Sequence, residues 1–446
     1  MGGQELAAGA RALAWLGAAL AVVAMALAAG CAGESDKSAA PAAAGSPAAQ
    51  GPLPGSPPGP LPAELQQMLA DVVSIRGLPA PASLDVSFIA RADLPALLDR
   101  LLTHDDRRWY HNTTTLYRLL GLLRNDQDYL SVYNSFGSDA ILGLYSPPDK
   151  RLWVVTKDGK AEDASALSRD EKATLAHELV HALQDASFDL DTTLQSVLDD
   201  LDRNLAYTAV IEGDAVTHER LYAQRFALGT GAGRLAAFAL APRADVPPGI
   251  ERELRFPYSA GADWVTALRA RSGTARIDEL LRTPPSATAL ILHPALFDSG
   301  WRPRPVSLPN IAGALGAGWA RESGGTLGEF ELQNELLLRL RSIDATTAAA
   351  GWDGDHYDVY VSGGRSLAVF RVFFRDAEEA AAFAAAQRHW LEAAGADLQA
   401  PAGVTVGAVP GGATWALFPG AGDSVTFVAG SDRDAVEHAV EGLIHG

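Results

Sequence analysis

A helix predicted over residues 168–185 carries two histidines on one face, and this arrangement limits what the rest of the chain can fold into. Ser168 and Glu171 have the spacing of a capping box, in which each side chain satisfies a backbone N–H at the start of a helix. His177 and His181 are four residues apart, so a helix places them one turn apart on the same side. We therefore expect both imidazoles to face one point.

Residues 177–181 read HELVH, an HExxH motif, and this pattern suits a metal ion that acts on water. Both imidazoles can reach one cation, and Glu178 beside them can take a proton from water there. The only cysteine is Cys31, which excludes an internal disulfide and any metal cluster of several cysteines. The remaining ligands must then be His, Asp or Glu. The alternative is a surface helix whose histidines pair with carboxylates.

A third ligand is expected on a second helix, predicted over residues 198–227. Glu212 lies there among apolar and small residues, where a carboxylate is costly unless it is paired or binds a metal. The adjacent Gly213 allows another helix to approach closely. The alternative for Glu212 is an exposed position on the helix surface, because glutamate is mostly exposed in proteins.

Other side chains near these positions have possible supporting roles. Asp214 and His218 on the second helix, and Asp185 one turn beyond His181, are rival ligands. We rank Asp185 and Asp214 as carboxylates that do not bind the metal themselves but orient a ligand imidazole.

An HExxH helix followed by a glutamate on a second helix resembles the gluzincin metallopeptidases. The string EGDA at residues 212–215 is similar to their E-x-x-A variant. The thermolysin-type string has an aspartate four residues after the glutamate, and here that position is Val216. Residues 177–185, 256–261 and 291–294 are also similar to a group of exported bacterial and archaeal zincin-like proteins of unassigned substrate. The region that spans these stretches, residues 177–294, covers about a quarter of the chain.

The resemblance implies zinc-dependent hydrolysis of peptide bonds. Zinc would be held by His177, His181 and Glu212, and Glu178 would be the general base that passes a proton to the leaving amine. A peptide or protein substrate would lie along the strand at 152–156, for which plain scaffold is the alternative. Four side chains are candidates for stabilising the oxyanion: His293, Tyr207, His218 and Tyr258. Of these, His293 is the one that we predict to be a catalytic residue.

The N-terminus predicts export. An uncharged run, 12–29, follows Arg11 and ends in small residues before Cys31, which resembles a bacterial lipobox. Residues 1–30 would then be a lipoprotein signal peptide, and lipidated Cys31 would anchor the protein to a membrane. A cleaved secretory signal and an uncleaved anchor helix are the alternatives, and all three export the chain. Residues 31–62, rich in Ala, Gly, Pro and Ser, are predicted to form a disordered tether.

The rest of the chain predicts an α+β fold in two domains. Residues 63–345 are expected to form a mainly helical, zincin-like domain with a β-hairpin at its edge, from strands at 140–145 and 152–156. Residues 346–446 show the order ββαββα, typical of a small α+β domain. Further helices are predicted at 61–75, 94–102, 113–123 and 326–341.

The charge balance excludes one class of function. Lys and Arg number 36 and Asp and Glu number 54, which gives a net charge of −18. A nucleic-acid binder needs a basic surface to neutralise phosphate, so nucleic acid is not expected as a partner. We expect a lipid-anchored zinc metallopeptidase on the periplasmic or extracellular face of a bacterial cell envelope. The alternative is a non-catalytic envelope lipoprotein that uses a zincin scaffold for binding or assembly.

Overall fold

The computed structural model describes residues 53–137, 141–160, 167–228, 245–400, 403–418 and 422–445. The predicted signal peptide, Cys31 and most of the predicted tether lie outside these ranges. Within them, no helix is both long and apolar enough to cross a lipid bilayer.

Helices make up most of the described part of the chain before residue 350. The described helices run in this order: α1 (Ala63–Arg76), α2 (Leu94–Leu101), α3 (His104–Leu119), α4 (Tyr129–Gly137), α5 (Arg169–Phe188), α6 (Leu190–Gln195), α7 (Leu201–Arg225), α8 (Pro248–Arg255), α9 (Ala262–Ser272), α10 (Ala275–Arg282), α11 (Ala289–Leu292), α12 (Pro294–Ser299), α13 (Ala312–Leu315), α14 (Gly328–Leu336), α15 (Ser342–Ala349), α16 (Ala377–Ala393) and α17 (Arg433–His445). A π-helical turn, Pro257–Gly261, separates α8 from α9.

The strands form two sheets. In chain order they are β1 (Gly59–Pro60), β2 (Asp85–Ala90), β3 (Gly143–Ser146), β4 (Arg151–Thr156), β5 (Ala320–Gly325), β6 (Trp352–Ser362), β7 (Arg365–Phe374), β8 (Thr405–Ala408), β9 (Thr414–Leu417) and β10 (Ser424–Gly430). The first sheet has the order β1-β2-β4-β3 and the second β5-β6-β7-β10-β9-β8. The combination of many helices with two largely antiparallel sheets agrees with the expected α+β class.

Helix α5 begins where its sequence predicts. The Ser168 N–H donates to Glu171 Oε2 at 2.6 Å, and the Glu171 N–H donates to Ser168 Oγ at 3.3 Å, so both halves of the capping box are present. The helix ends at Phe188, and the next residue, Asp189, has a φ of 50° that stops it. The HExxH motif therefore lies in the middle of a well-defined helix.

The predicted hairpin forms, but its outer strand differs from the expectation. β4 lies inside the sheet, because its second edge pairs in parallel with β2. β2 was not predicted, since its partner is more than sixty residues away in the chain. β3 is the outer strand, so the expectation that residues 152–156 form the free edge is wrong.

Two local boundaries also differ from the sequence patterns. Gly59–Pro60, within the predicted tether, pair with β2, and Leu61 is buried, so this end of the segment packs on the folded body. Helix α3 begins at His104 rather than at residue 113, because Thr103 and Asp106 form a second capping box. The polar residues of its first turns hide the helical pattern.

The helical part and the C-terminal sheet share one hydrophobic core. A single cluster of buried apolar side chains includes Leu65 of α1 and Phe427 of β10. The Trp390 indole N–H donates to Glu335 O at 2.9 Å, which joins α16 to α14. The second sheet also includes β5, which lies upstream of the predicted boundary at residue 346.

Candidate metal centre

Helices α5 and α7 bring three side chains to one buried point. His177 Nε2 lies 3.1 Å from His181 Nε2 and 3.1 Å from Glu212 Oε2, and His181 Nε2 lies 3.6 Å from the same carboxylate oxygen. All three side chains are fully buried. In the described part of the chain, this is the one group of three or more potential ligands close enough to hold a metal ion.

The spacing of these atoms fits a tetrahedral ion such as zinc. Ligand atoms about 2.0–2.1 Å from zinc are separated by about 3.3–3.4 Å along a tetrahedral edge. The three observed separations, 3.1, 3.1 and 3.6 Å, bracket that value. Two imidazoles and one carboxylate are also the donor set of many zinc enzymes. The residues present therefore fit the ion that the HExxH motif suggests.

Hydrogen bonds on the far side of each ring turn both Nε2 atoms toward the centre. His177 Nδ1 lies 3.3 Å from Glu219 Oε2, and His181 Nδ1 lies 2.8 Å from Gln184 Oε1. Both partner atoms are acceptors, so each Nδ1 donates to its partner, and a metal ion that replaces the Nε2 proton would be bound by the Nε2 lone pair of each ring.

The electrostatics of the site favour a positive charge between the three ligands. Burial acts to lower the pKa of His177, but its hydrogen bonds with Glu212 and Glu219 outweigh this effect and raise the pKa to about 10. Burial opposes ionisation of Glu212, yet the two imidazoles lower its pKa. A metal ion would supply the same positive charge.

Glu178 lies beside the three ligands and is held by the hairpin. The Tyr145 N–H of β3 donates to Glu178 Oε2 at 2.9 Å, while Oε1 has no hydrogen-bond partner among the described residues. Burial raises the pKa of Glu178 to about 7, against the opposing influence of His181 and His177. One oxygen is thus fixed and the other remains available to accept a proton.

Asp214 supports the site through an intermediate residue rather than by touching a ligand imidazole. The Gln184 side-chain amide donates to Asp214 Oδ2 at 2.8 Å, and Gln184 in turn holds His181. Arg76 Nε also donates to Asp214 Oδ2 at 2.8 Å. Burial acts to raise the pKa of Asp214, but Arg76 and His218 outweigh it and lower the pKa. Asp214 is therefore an ionised anchor for Gln184.

Asp185 does not have the orienting role predicted for it. Its carboxylate accepts hydrogen bonds from the Tyr145 hydroxyl at 2.7 Å, from Lys150 Nζ at 2.7 Å and from the Leu190 N–H at 3.2 Å. The Nδ1 atoms of the two ligand imidazoles have Glu219 and Gln184 as partners instead. Asp185 ties α5 to the β3–β4 hairpin.

Close contact between α7 and the π-helical turn places Tyr258 at the site. A Cβ atom on Gly213 would lie 2.7 Å from Gly261 O, so the two backbones meet only because this position is glycine. Tyr258 is buried beside Glu212, and burial followed by the charge of Glu212 raises the Tyr258 pKa well above its usual range. π-Helical turns are frequent at functional sites.

The other candidates for oxyanion stabilisation have different partners. His293 Nε2 lies 2.6 Å from Glu329 Oε1 on α14. The Tyr207 hydroxyl donates to Leu281 O at 2.7 Å, and His218 Nδ1 lies 2.8 Å from Asp214 O. Of the four side chains considered, Tyr258 is the one that the structure places beside a predicted ligand.

Sequence reasoning missed the two residues that hold the imidazoles. Glu219 lies seven residues after Glu212, two turns along the same face of α7, and Gln184 lies three residues after His181 on α5. The seven-residue spacing from Glu212 is a sequence signal that places Glu219 on the same face of the helix. Gln184 carries no charge, so composition and burial arguments gave no reason to select it.

Comparisons with known proteins cover only the C-terminal part. Residues 318–439 match the family described as a domain of unknown function, DUF8575. This stretch includes the second sheet and lies outside α5 and α7. No curated protein and no solved structure matches the chain.

Proposed function

We propose that this protein is a zinc-dependent metallopeptidase of the cell envelope. The observation that carries the proposal is the convergence of His177, His181 and Glu212 within 3.1–3.6 Å of one another, with Glu178 beside them. A structural zinc site is usually closed by four protein ligands. A three-ligand site with an adjacent carboxylate is typical of hydrolases.

Each residue has a distinct role in the proposed reaction. When bound, zinc would polarise a peptide carbonyl and acidify water. Glu178 would accept a proton from the attacking water at Oε1, its oxygen without a partner, and deliver it to the leaving amine. Tyr258 would donate a hydrogen bond to the developing oxyanion.

The zincin-like resemblance also suggests where a substrate would lie. β3 is the outer strand of its sheet, and its Tyr145 N–H contacts Glu178. An extended peptide added to this edge would bring its backbone close to the proposed base. The lipobox at Cys31 would tether the enzyme to a membrane, so we propose envelope proteins or peptides as substrates.

The burial of the site favours a second candidate function. The side chains of His177, Glu178, His181 and Glu212 are all 0% exposed in the structure. Such burial suits a protein that keeps this scaffold for binding or assembly in the envelope. Zinc would then have a structural role, and the site would need no access for a substrate.

A cleavage assay distinguishes the two candidates. The zinc-loaded protein is incubated with an unbiased peptide library beside the Glu178→Gln variant, which keeps the ligands and removes the base. We expect the wild-type protein to cleave peptides and the variant to lose about 10²–10⁴-fold in rate, the usual contribution of a general base. No cleavage by the zinc-loaded wild-type protein would favour the scaffold function.

A further inference from the structure

A small aromatic cavity lies next to the metal centre. It has a volume of about 50 Å³ and lies between α3, α4, α7, α8 and the π-helical turn. Four aromatic side chains form much of its wall: Trp109, Tyr110, Tyr129 and Tyr133. Their rings pack in a continuous cluster with centroids 5.0–6.3 Å apart. Trp109 is partly exposed, so the cluster reaches the surface.

The cavity is close to the proposed ligands along two elements. Thr208 lines it and lies four residues before Glu212 on α7, a separation of about 6 Å along the helix axis. Tyr258 also lines it and is buried beside Glu212. A group bound in the cavity would therefore be within one side-chain length of the zinc site.

A buried carboxyl group without a cationic partner forms part of the cavity wall. Glu253 is 8% exposed, and its Oε1 accepts a hydrogen bond from the Tyr129 hydroxyl at 3.0 Å. Glu253 Oε2 has no hydrogen bond of good geometry among the described residues, although the Tyr117 hydroxyl lies close to the carboxyl group. The described residues that line the cavity include no Lys or Arg. Burial, and then the neighbouring Glu331, raises the pKa of Glu253 well above its usual range.

A buried carboxyl group among aromatic rings, which ionises as a cation enters, is an arrangement that suits an organic cation. The faces of Trp and Tyr rings attract an ammonium group, and the attraction strengthens when water is excluded. A bound cation would also provide the partner that Glu253 Oε2 lacks, and an apolar side chain would not. An ammonium group is compact, whereas the planar guanidinium of arginine carries five donors in a rigid fork and needs a wider site.

We propose that this cavity binds the ammonium group of a lysine-like side chain flanking the scissile bond. The substrate part of this inference rests on the proposed peptidase function, and the binding part does not. The four-carbon stem of a lysine is long enough to enter a cavity whose wall begins about one helical turn from Glu212, at Thr208.

Direct binding is tested with n-butylammonium chloride, which has the same stem and head group. The full zinc-loaded chain is titrated by calorimetry at about pH 8.5, where an alkylammonium with a pKa of roughly 10.4 stays charged. We expect saturable binding, no binding of neutral 1-butanol at equal concentration, and at least tenfold weaker binding to Glu253→Gln. Glu335→Gln is the matched control, because Glu335 is also a buried glutamate but does not line the cavity. It should bind like the wild type.

A second variant keeps the test valid if Glu253→Gln does not fold. Trp109→Leu removes one wall at a partly exposed position and should weaken n-butylammonium binding severalfold. Equal binding of n-butylammonium and 1-butanol, or equal binding to the wild type and both variants, would show that the rings are ordinary core packing and overturn the proposal.

Cleavage of matched peptides separates this inference from the proposed function. Two peptides differ only by lysine or norleucine beside the scissile bond. We expect the wild type to prefer lysine at least tenfold and Glu253→Gln to lose that preference. Cleavage without a lysine preference would overturn the substrate assignment and leave the peptidase proposal standing. If n-butylammonium binding depends on Glu253 but no peptide is cleaved, the result would support the cation site and contradict the peptidase function.

Discussion

At the scale of single residues, the partners of the imidazole Nδ1 atoms decide what the two histidines can do. Glu219 and Gln184 each lie within hydrogen-bond distance of an Nδ1 atom, so both Nε2 atoms face the same point and can offer their lone pairs to a metal ion. These partners differ in kind, because Glu219 carries a charge and Gln184 relays the charge of Asp214. Glu219 should therefore influence metal affinity directly through His177.

Replacing the two glutamates of α7 should give graded losses of zinc. Glu212→Gln replaces a charged ligand with a neutral amide in a buried site and should weaken zinc binding the most. Glu219→Gln leaves the ligands in place and should weaken binding by about 10–100-fold, as is usual for outer partners of a ligand histidine. Competition with a chelator of known affinity measures the zinc affinity of both variants. Asp185→Asn is the control and should have little effect. A larger loss for Glu219→Gln than for Glu212→Gln would contradict the ligand assignment.

At the scale of elements, the crossing between α7 and the π-helical turn positions the site. Gly213 and Gly261 face each other, and a Cβ on Gly261 would lie 2.7 Å from Ala209 O. The crossing carries Glu212 on one side and Tyr258 on the other. Any side chain between the two backbones must push these functional residues apart.

Gly213→Ala should destabilise the protein even though Gly213 is in a helix. At an open helical position the same change stabilises by about 0.5–1 kcal/mol. Here the new methyl group would meet Gly261 O at 2.7 Å and Val265 Cγ2 at 2.9 Å, so a net loss of about 1–3 kcal/mol is expected from overpacking. Chemical denaturation measures the free energy of unfolding. Gly313→Ala in α13 is the matched control, with nothing within 4 Å of its Cβ. Equal effects at the two positions would argue against a tight crossing.

Local signals explain which elements could be predicted from the sequence. The capping box at Ser168, the HExxH spacing and the apolar surroundings of Glu212 are all patterns of residues close together in the chain, and the structure brings the three predicted ligands together. β2 was missed because its pairing with β4 spans a long stretch of chain. Four side chains were candidates for oxyanion stabilisation, and the crossing of α7 with the π-helical turn determines that Tyr258 is the one beside Glu212. Sequence spacing alone does not predict this crossing.

At the scale of the whole molecule, buried carboxyl groups lie where the helical part meets the C-terminal sheet. Glu335 of α14 is 1% exposed and accepts a hydrogen bond from the Gln387 side chain of α16 at 2.9 Å. Burial raises the pKa of Glu335 to about 8 and that of Glu331 to about 7. The junction is therefore most stable when these groups are protonated.

The stability of the fold should depend on pH through Glu335. Because its folded-state pKa lies above the ordinary value of 4.5, its contribution is fully present below about pH 4.5 and is lost as the pH rises to about 8. Glu335→Gln should flatten the pH profile of the free energy of unfolding between these limits. Denaturation curves of the two proteins across this range measure the effect, and the exposed Glu378→Gln is the control. An unchanged slope in Glu335→Gln would show that its carboxyl does not titrate in this window.

The expected membrane anchor is a separate property of the whole chain. Cys31→Ala should release the protein from the membrane fraction or leave it unprocessed, because the lipid supplies the anchor. Fractionation of the host envelope followed by immunoblotting measures this. Unchanged size and unchanged membrane retention would instead indicate an uncleaved anchor helix.

We propose that His177, His181 and Glu212 form a zinc centre in which Glu178 is not a ligand. The most direct measurement is elemental analysis of the purified wild-type protein, the His177→Ala/His181→Ala double variant and Glu178→Gln. We predict stoichiometric zinc in the wild type and in Glu178→Gln, and none in the double variant, since removing two of three ligands leaves no site. Full zinc occupancy in the double variant, or no zinc in the wild type, would contradict the account.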